Sequence, residues 1–297
     1  MSTTNTTSTT QTQATSTTIG ICGLGCVGDA MLQHFLKHTT LKPVGYDKFK
    51  KPFDSESIFQ DVLKTDIVFL CLPTLYSPEQ AQYDKSAIFD VCERLHQGNY
   101  RGLVVLKSTV EPGTSDNLSV KYPEMDFAHN PEFLTARTSY EDFTTQPHVV
   151  IGKTPFCDDV KFEGLHTFYK HYWPNSKYSV CKAWESEMMK SGCNSFYALK
   201  IGYFNTVYLL ARQYCEKSGL DSNETYQNVL KMMLKNEWIN PMHTNVPGPD
   251  GRLGFGGACF PKDINALNQH VKAMGLPNDM LEGAVKLNLS LRNDVPY

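Results

Sequence analysis

From Ile19 onward, short apolar runs alternate with longer stretches whose apolar residues recur at helical spacing. The runs are IGICG at 19–23, PVGY at 43–46, DIVFLCLP at 66–73, LVVLKS at 103–108, MDFAHN at 125–130 and PHVVIG at 147–152. Most are continuously apolar, which is the pattern of strands buried on both faces of a parallel sheet. Between them lie helical stretches such as CVGDAMLQHFLKH at 26–38 and SAIFDVCERLHQ at 86–97. Strand–helix–strand repetition predicts an α/β fold with a doubly wound parallel sheet. KYSVC at 177–181 reads as a last strand of this first domain.

The pattern then turns helical. No Pro interrupts Ala183 to Lys217, and Ser218-Gly219 offers a stop. A helix of that length runs about 50 Å. Helical sequence at 222–238, a Pro/Gly-rich loop at 240–263 and a helical region from Ile264 to Leu291 predict an all-α domain after the long connecting helix. Residues 1–18 are almost purely Thr, Ser, Asn and Gln, too polar to offset chain entropy by burial, and predict a disordered tail. The expected division is therefore a tail at 1–18, a cofactor domain at 19–182 and a helical domain at 183–297.

Charge and composition narrow the function. Lys and Arg number 28 against 31 Asp and Glu, so there is no basic field to hold nucleic acid. No apolar run approaches the roughly 20 residues that cross a bilayer. The tail lacks the apolar and basic signals of a targeting segment. Nine unevenly spaced cysteines do not form a disulfide pattern and fit a reducing setting. A cytoplasmic enzyme or binding protein remains, with no nucleic-acid or membrane partner.

The first candidate site follows the first strand. Gly23, Gly25 and Gly28 form GLGCVG, a G-x-G-x-x-G that opens a predicted helix, with Cys26 and Val27 inside the turn. The first glycine permits the turn, the second lets backbone approach a pyrophosphate, and the third allows close helix–strand packing. The phosphates then meet the helix N-terminus. The second strand ends at Asp47, about 20 residues on, where a carboxylate takes the ribose hydroxyls of NAD. This makes the domain Rossmann-like. Lys48, Lys50 and Lys51 would suit a 2′-phosphate, but Asp47 repels one, so the expected cofactor is NAD.

The second candidate site is the loop GFGGACFPKD at 254–263. Its three glycines and one proline hold extended backbone that can wrap a ligand. Cys259 lies three residues before Lys262, and a nearby cation favours the nucleophilic thiolate. Cys71, Cys92 and Cys215 read instead as small buried hydrophobes. No paired C-x-x-C exists, so no metal is expected. On the long helix, Lys190 and Asn194 are four apart, with Glu187 near them. Two such donors can hold an oxyanion; the same spacing also describes an ordinary solvated helix face.

The motifs occur in a telling order: GLGCVG, CLPT (71–74), KSTVEPGTSD (107–116), NPEFLTARTSYED (130–142), ESEMMKSGCNSF (185–196) and GFGGACFPKD. In this the chain resembles the UDP-glucose/GDP-mannose dehydrogenase family, from about residue 19 to 290. The resemblance implies NAD-dependent, four-electron oxidation of a nucleotide-sugar C6 alcohol to a carboxylate, UDP-glucose to UDP-glucuronate foremost. It implies that Cys259 forms a thiohemiacetal and then a thioester, that Lys190 and Asn194 hold the oxyanion, and that Asp263 handles protons through a water. It implies that Glu132 and Thr109 assist hydrolysis. Cofactor contacts are implied at Pro73, Thr74, Ser108, Thr109 and Lys262. Substrate contacts are implied at Glu132, Phe133, Leu134, Lys190, Asn194, Phe255, Gly256, Gly257 and Cys259. A homodimer through the long helix 183–217 is also implied, with Tyr197, Ile201, Phe204, Val207 and Tyr208 as its apolar residues.

Two departures stand out. Ala136 occupies the position of a glutamate that frames the nicotinamide in the family. Family members also continue into a further α/β domain of roughly 100 residues or more, whereas this sequence stops at Tyr297. The expectation is that the nucleotide is held less completely, by another chain, or by the loop 240–257. Two other readings remain: a two-electron dehydrogenase of the β-hydroxyacid type, in which Cys259 has no chemical task, and a non-catalytic NAD or nucleotide-sugar binding protein.

Overall fold

The structure is a computed structural model and describes residues 17–295. The expected tail lies outside them, except for Thr17 and Thr18. Thr18 is held firmly: its amide and hydroxyl both donate to the Asp66 carboxylate, at 2.8 and 2.7 Å. The described chain thus begins before Ile19.

The described strands are β1 (Ile19–Cys22), β2 (Val44–Tyr46), β3 (Ile67–Leu70), β4 (Tyr76–Ser77), β5 (Gln82–Tyr83), β6 (Leu103–Leu106), β7 (Asp126–His129), β8 (His148–Lys153) and β9 (Lys177–Lys182). The helices are α1 (Cys26–His38), α2 (Glu56–Val62), α3 (Ser86–Gln97), α4 (Thr114–Lys121), α5 (Ser139–Thr145), α6 (Asp159–Tyr172), α7 (Ala183–Ser218), α8 (Ser222–Leu234), α9 (Phe260–Ala273) and α10 (Asp279–Leu291). They form two compact units. The first comprises the chain up to Leu75 and Asp84–Lys190; the second comprises Tyr76–Tyr83 and the chain from Ser191. The division falls inside α7 rather than at its start, and the short excursion 76–83 joins the helical unit.

The first unit is a seven-stranded sheet in the order β2-β1-β3-β6-β7-β8-β9. Alternate side chains of its central strands enter two cores, which is why the runs read as apolar throughout. Ile19, Ile21, Phe69 and Val105 meet Phe35 of α1, Phe143 of α5 and Phe168 of α6. Val68, Leu70, Val104 and Leu106 meet Phe59 of α2, Val91 of α3 and Leu118 of α4. Full burial of each such side chain contributes about 1.5–3 kcal/mol. The sheet is not wholly parallel. β8 runs antiparallel to β7, pairing Ala128 with Lys153 and His129 with Gly152. The connection between them makes no crossover: α5 lies along α1, with His34 bonded to Thr144 and His38 to Tyr140.

The second unit takes in the rest of α7, then α8, α9 and α10, together with the β4–β5 hairpin. Two-residue strands carry too little pattern to be read from sequence, so the hairpin was not anticipated. One core gathers Ala198, Phe255, Ile264, Leu281 and Ala284; another gathers Phe204, Tyr226, Leu230 and Val246. The expected continuous helical region 264–291 is two helices, parted at Gly275, which has φ +71° and is followed by Pro277. α9 starts at Phe260, inside the expected loop, because Pro261 sits in the first turn, where its missing N–H costs nothing. Of the residues expected at a dimer interface, Phe204 is buried and Ile201, Val207 and Tyr208 pack against the unit's own cores. Among the described residues, no helix is long and apolar enough to cross a membrane.

Candidate functional site

In the first unit, the glycine turn joins β1 to α1. Gly23 has φ +89°, and a Cβ there would lie 2.5 Å from the Cys71 carbonyl oxygen. A Cβ on Gly28 would lie 1.9 Å from the Gly23 oxygen. These two are demanded by packing. A Cβ on Gly25 would meet nothing within 4 Å, although Gly25 caps α1. The protein itself does not need that glycine; a ligand brought close to the backbone would. Cys26 is exposed beside it, with its sulfur 3.8 Å from the Ala136 carbonyl oxygen, and Val27 is half-buried.

Asp47 follows β2 and accepts from Leu24 N (2.8 Å) and Phe49 N (2.9 Å). Its carboxylate is thereby fixed against the glycine turn and retains acceptor capacity for hydroxyl donors. Lys48 pairs with Asp90, while Lys50 pairs with Asp29 and donates to the Leu24 carbonyl of the glycine turn at 3.2 Å. The open approach at Gly25, the helix N-terminus and the fixed carboxylate fit a dinucleotide.

The strand ends beyond the turn are tied by hydroxyls. Thr74 donates to the Thr109 carbonyl at 2.8 Å, and Ser108 donates to the Leu72 carbonyl at 2.7 Å while accepting from its amide. Pro73 between them is exposed. The side chains of Thr74 and Ser108, expected at a cofactor, thus hold backbone.

Lys190 is buried on α7, and its ammonium donates to the Glu132 carbonyl at 2.6 Å and pairs with the Glu132 carboxylate at 3.0 Å. The Glu132 carboxylate also accepts from Leu134 N at 2.5 Å, which curls the NPEFL segment around it. Phe133 is exposed, stacks on His148 and lies under the Lys190 ammonium, 5.4 Å away. Leu134 packs onto the sheet core. Glu187, expected beside the chemistry, has a different task. It accepts from Gly113 N and Ser115 N, at 2.6 and 2.8 Å, and so caps α4.

Sequence reading passed over Lys107 of the KST motif. It is buried and donates to Asn130 Oδ1 at 2.6 Å, and burial pushes its ammonium down to about 8. Asn130 also donates to Val150 O at 2.7 Å. Lys107 therefore anchors the first residue of the NPEFL segment to the sheet. A lysine inside an apolar strand run was the available signal.

In the second unit, Cys259 is exposed at the N-cap of α9 and Asp263 lies one turn further on, fully buried. The Asp263 amide donates to the Cys259 carbonyl at 3.0 Å, so helix geometry fixes their spacing. Asn194 of α7 donates to Asp263 Oδ2 at 2.6 Å. Tyr83 of the hairpin donates to Oδ1 at 2.6 Å, and Lys262 pairs with the same oxygen. Tyr83 is a second residue that the sequence did not reveal. Lys190 and Asn194 are thus each bonded to a carboxylate of their own unit.

The loop before Cys259 is held by amides. Asn205 accepts from Gly254 N at 2.9 Å, and Asn288 both accepts from Phe255 N (2.7 Å) and donates to Phe255 O (3.0 Å). Gly256 lies on the Arg292 guanidinium, close enough that a Cβ would be 2.4 Å from Nη2. Asp250 and Asp294 hold that guanidinium at 2.8 Å. Gly257 has φ +77°. The ring of Phe255, expected at the substrate, is buried in the helical core.

Comparison with known proteins adds to this geometry. Residues 31–172 match the NAD binding domain of the UDP-glucose/GDP-mannose dehydrogenase family, and residues 184–290 match its central domain. The UDP-glucose 6-dehydrogenase of Rickettsia prowazekii is 31% identical over 270 residues, covering 88% of this chain and 56% of that protein. The structure of a UDP-glucose dehydrogenase from Pyrobaculum islandicum matches with a TM-score of 0.75 at 25% identity, over 92% of this chain and 68% of that one. A 3-hydroxyisobutyrate dehydrogenase of Mycobacterium tuberculosis shares the fold, with a TM-score of 0.68 at 17% identity over 92% of this chain and 93% of that one. The chain spans about half the length of the curated relatives it matches.

Proposed function

The chain belongs to the UDP-glucose/GDP-mannose dehydrogenase family, and on that premise we propose that it oxidises the C6 alcohol of a nucleotide sugar, UDP-glucose first, to a carboxylate. The observation that carries the reading is the fixed trio of the second unit: Cys259 opening α9, Asp263 one turn on, and Asn194 bonded to it. A simple hydride transfer needs no thiol at that position.

NAD supplies the hydride acceptor for both oxidations. Loss of a hydride and a proton turns the alcohol into an aldehyde. The Cys259 sulfur adds to the aldehyde carbon and the oxygen takes a proton, giving a thiohemiacetal that cannot escape between steps. The positive end of a helix dipole favours an anionic sulfur. Loss of a second hydride and the hydroxyl proton leaves a thioester. Water attacks the acyl carbon, the C–S bond breaks, the sulfur regains a proton and the carboxylate departs. In sum, one alcohol and one water yield a carboxylate, two hydrides and three protons. Lys190 and Asn194 are the proposed donors to the oxyanion, Asp263 the proton handler through water, and Glu132 and Thr109 the residues assisting hydrolysis.

The test is stoichiometry. Incubation with UDP-glucose and NAD should give two NADH per UDP-glucuronate, and Cys259→Ser should end carboxylate formation. One NADH per turnover, surviving Cys259→Ala, would mark a two-electron dehydrogenase instead; binding without turnover would mark a binding protein.

The long helix α7 supports a homodimer. Phe196, Tyr203, Leu210 and Tyr214 are exposed on it, by 60, 58, 59 and 70%. The first three are spaced by seven, so they share one face. Sedimentation should show a dimer that Leu210→Glu dissociates; a monomer at micromolar concentration would refute it.

A further inference from the structure

We propose that Tyr83 is a positioning residue for Asp263, one that selects which carboxylate oxygen handles the proton. The proposal rests on the reading of Asp263 given above. Tyr83 is 1% exposed and Asp263 is fully buried. A buried carboxylate must be met by donors, and three are described. The Tyr83 hydroxyl and the Lys262 ammonium both donate to Oδ1, while the Asn194 amide donates to Oδ2.

An ionised carboxylate offers about four lone-pair positions, two on each oxygen. Tyr83 and Lys262 fill both on Oδ1. Asn194 fills one on Oδ2. The remaining position is on Oδ2, the oxygen that faces Asn194. A water or substrate proton is accepted there and not on Oδ1.

Tyr83 reaches this point from the β4–β5 hairpin, which is part of the second unit and packs on α9, while its neighbours in sequence belong to the first. The Lys262 ammonium lies 4.8 Å from the centre of the Tyr83 ring, so phenol and cation also brace each other. Among the described contacts, the titratable groups that meet Asp263 are Tyr83 from the hairpin and Lys262 on its own helix, with Cys259 one turn away at that helix's start; α7 contributes the uncharged Asn194.

Tyr83→Phe removes the hydroxyl and keeps the ring. Lys262 remains as a donor, but a hydrogen bond that favours the charged form of the carboxyl is lost. The acid limb of kcat/KM against pH should move up by about one pH unit. The kcat should fall about tenfold while KM for the nucleotide sugar stays within about twofold.

Infrared titration of the Asp263 carboxyl, assigned by subtracting Asp263→Asn, reads the same shift without substrate. Replacing Tyr83 with fluorinated tyrosines of rising acidity keeps the shape and strengthens the donor, so the shift should reverse in graded steps. This series decides the matter if Tyr83→Phe does not fold. A carboxyl titration unchanged by either substitution overturns the proposal. A titration that moves as expected in a protein that turns over no nucleotide sugar supports the hydrogen bond and overturns only the functional reading.

Discussion

Lys190 grips Glu132 at two points, its carbonyl at 2.6 Å and its carboxylate at 3.0 Å, with side-chain exposures of only 5 and 13%. One ammonium therefore fixes both the backbone and the charge of the NPEFL turn. Breaking a buried pair leaves an uncompensated charge, which costs about 3–5 kcal/mol. Lys190→Met should lower stability by about that much in urea unfolding and depress turnover at least 100-fold. Glu132→Gln, which keeps the shape and an acceptor, should cost less stability than Lys190→Met.

The glycine turn separates folding from binding. Gly28→Ala places a Cβ 1.9 Å from the Gly23 oxygen, so the first unit must distort. Gly25→Ala meets nothing within 4 Å. The first variant should fold poorly by circular dichroism. The second should melt within about 2 °C of the parent, because no contact is disturbed, yet lose at least tenfold in NAD affinity by fluorescence titration.

Acid should weaken the fold through two histidines. Burial pushes His34 down to about 4 and His129 to about 3, with His38 adding to the first and Lys107 and Lys190 to the second. The unfolded chain then binds more protons, so this stability is complete above the ordinary value near 6.5 and drains away as pH falls. Glu187 acts in the opposite sense. Burial lifts it to about 7 despite its hydrogen bonds, so stability falls as pH rises from about 4.5 to 7. The two effects oppose each other between about 4.5 and 6.5, and below 4.5 Glu187 no longer counters the histidines. His34→Phe, which suits the stack on Trp173, should flatten the acid side of a plot of urea midpoint against pH.

Asn288 is a peptide surrogate: it pairs with both the N–H and C=O of Phe255. Asn288→Ala leaves two buried backbone groups unpaired and should cost about 2–4 kcal/mol. The loop before Cys259 should become protease-sensitive in a limited digestion, while Asn288→Gln should recover little because its amide stands one carbon too far.

The sheet was legible because burial on both faces writes itself as unbroken apolar runs. The glycine turn was legible because Gly23 and Gly28 answer separate steric demands and Gly25 leaves the backbone open to a ligand. Other features leave weaker traces. The antiparallel β8 has the same apolar composition as its parallel neighbours, so sequence cannot show its direction. Glu187 lies one turn from Lys190 and reads as part of the same chemistry, yet it caps α4. Asn288 and Arg292 look like the polar face of a helix end, although both are buried beneath the glycine loop. Tyr83 is hidden most deeply, since its partner lies 180 residues further along the chain.

That last separation has a consequence for how the molecule is made. A ribosome releases the hairpin long before α9 exists, so Tyr83 must wait for 180 further residues before its carboxylate arrives. The helical unit is consequently completed after the sheet unit. No single cut in the chain liberates it intact: a fragment beginning at α7 leaves its own tyrosine behind.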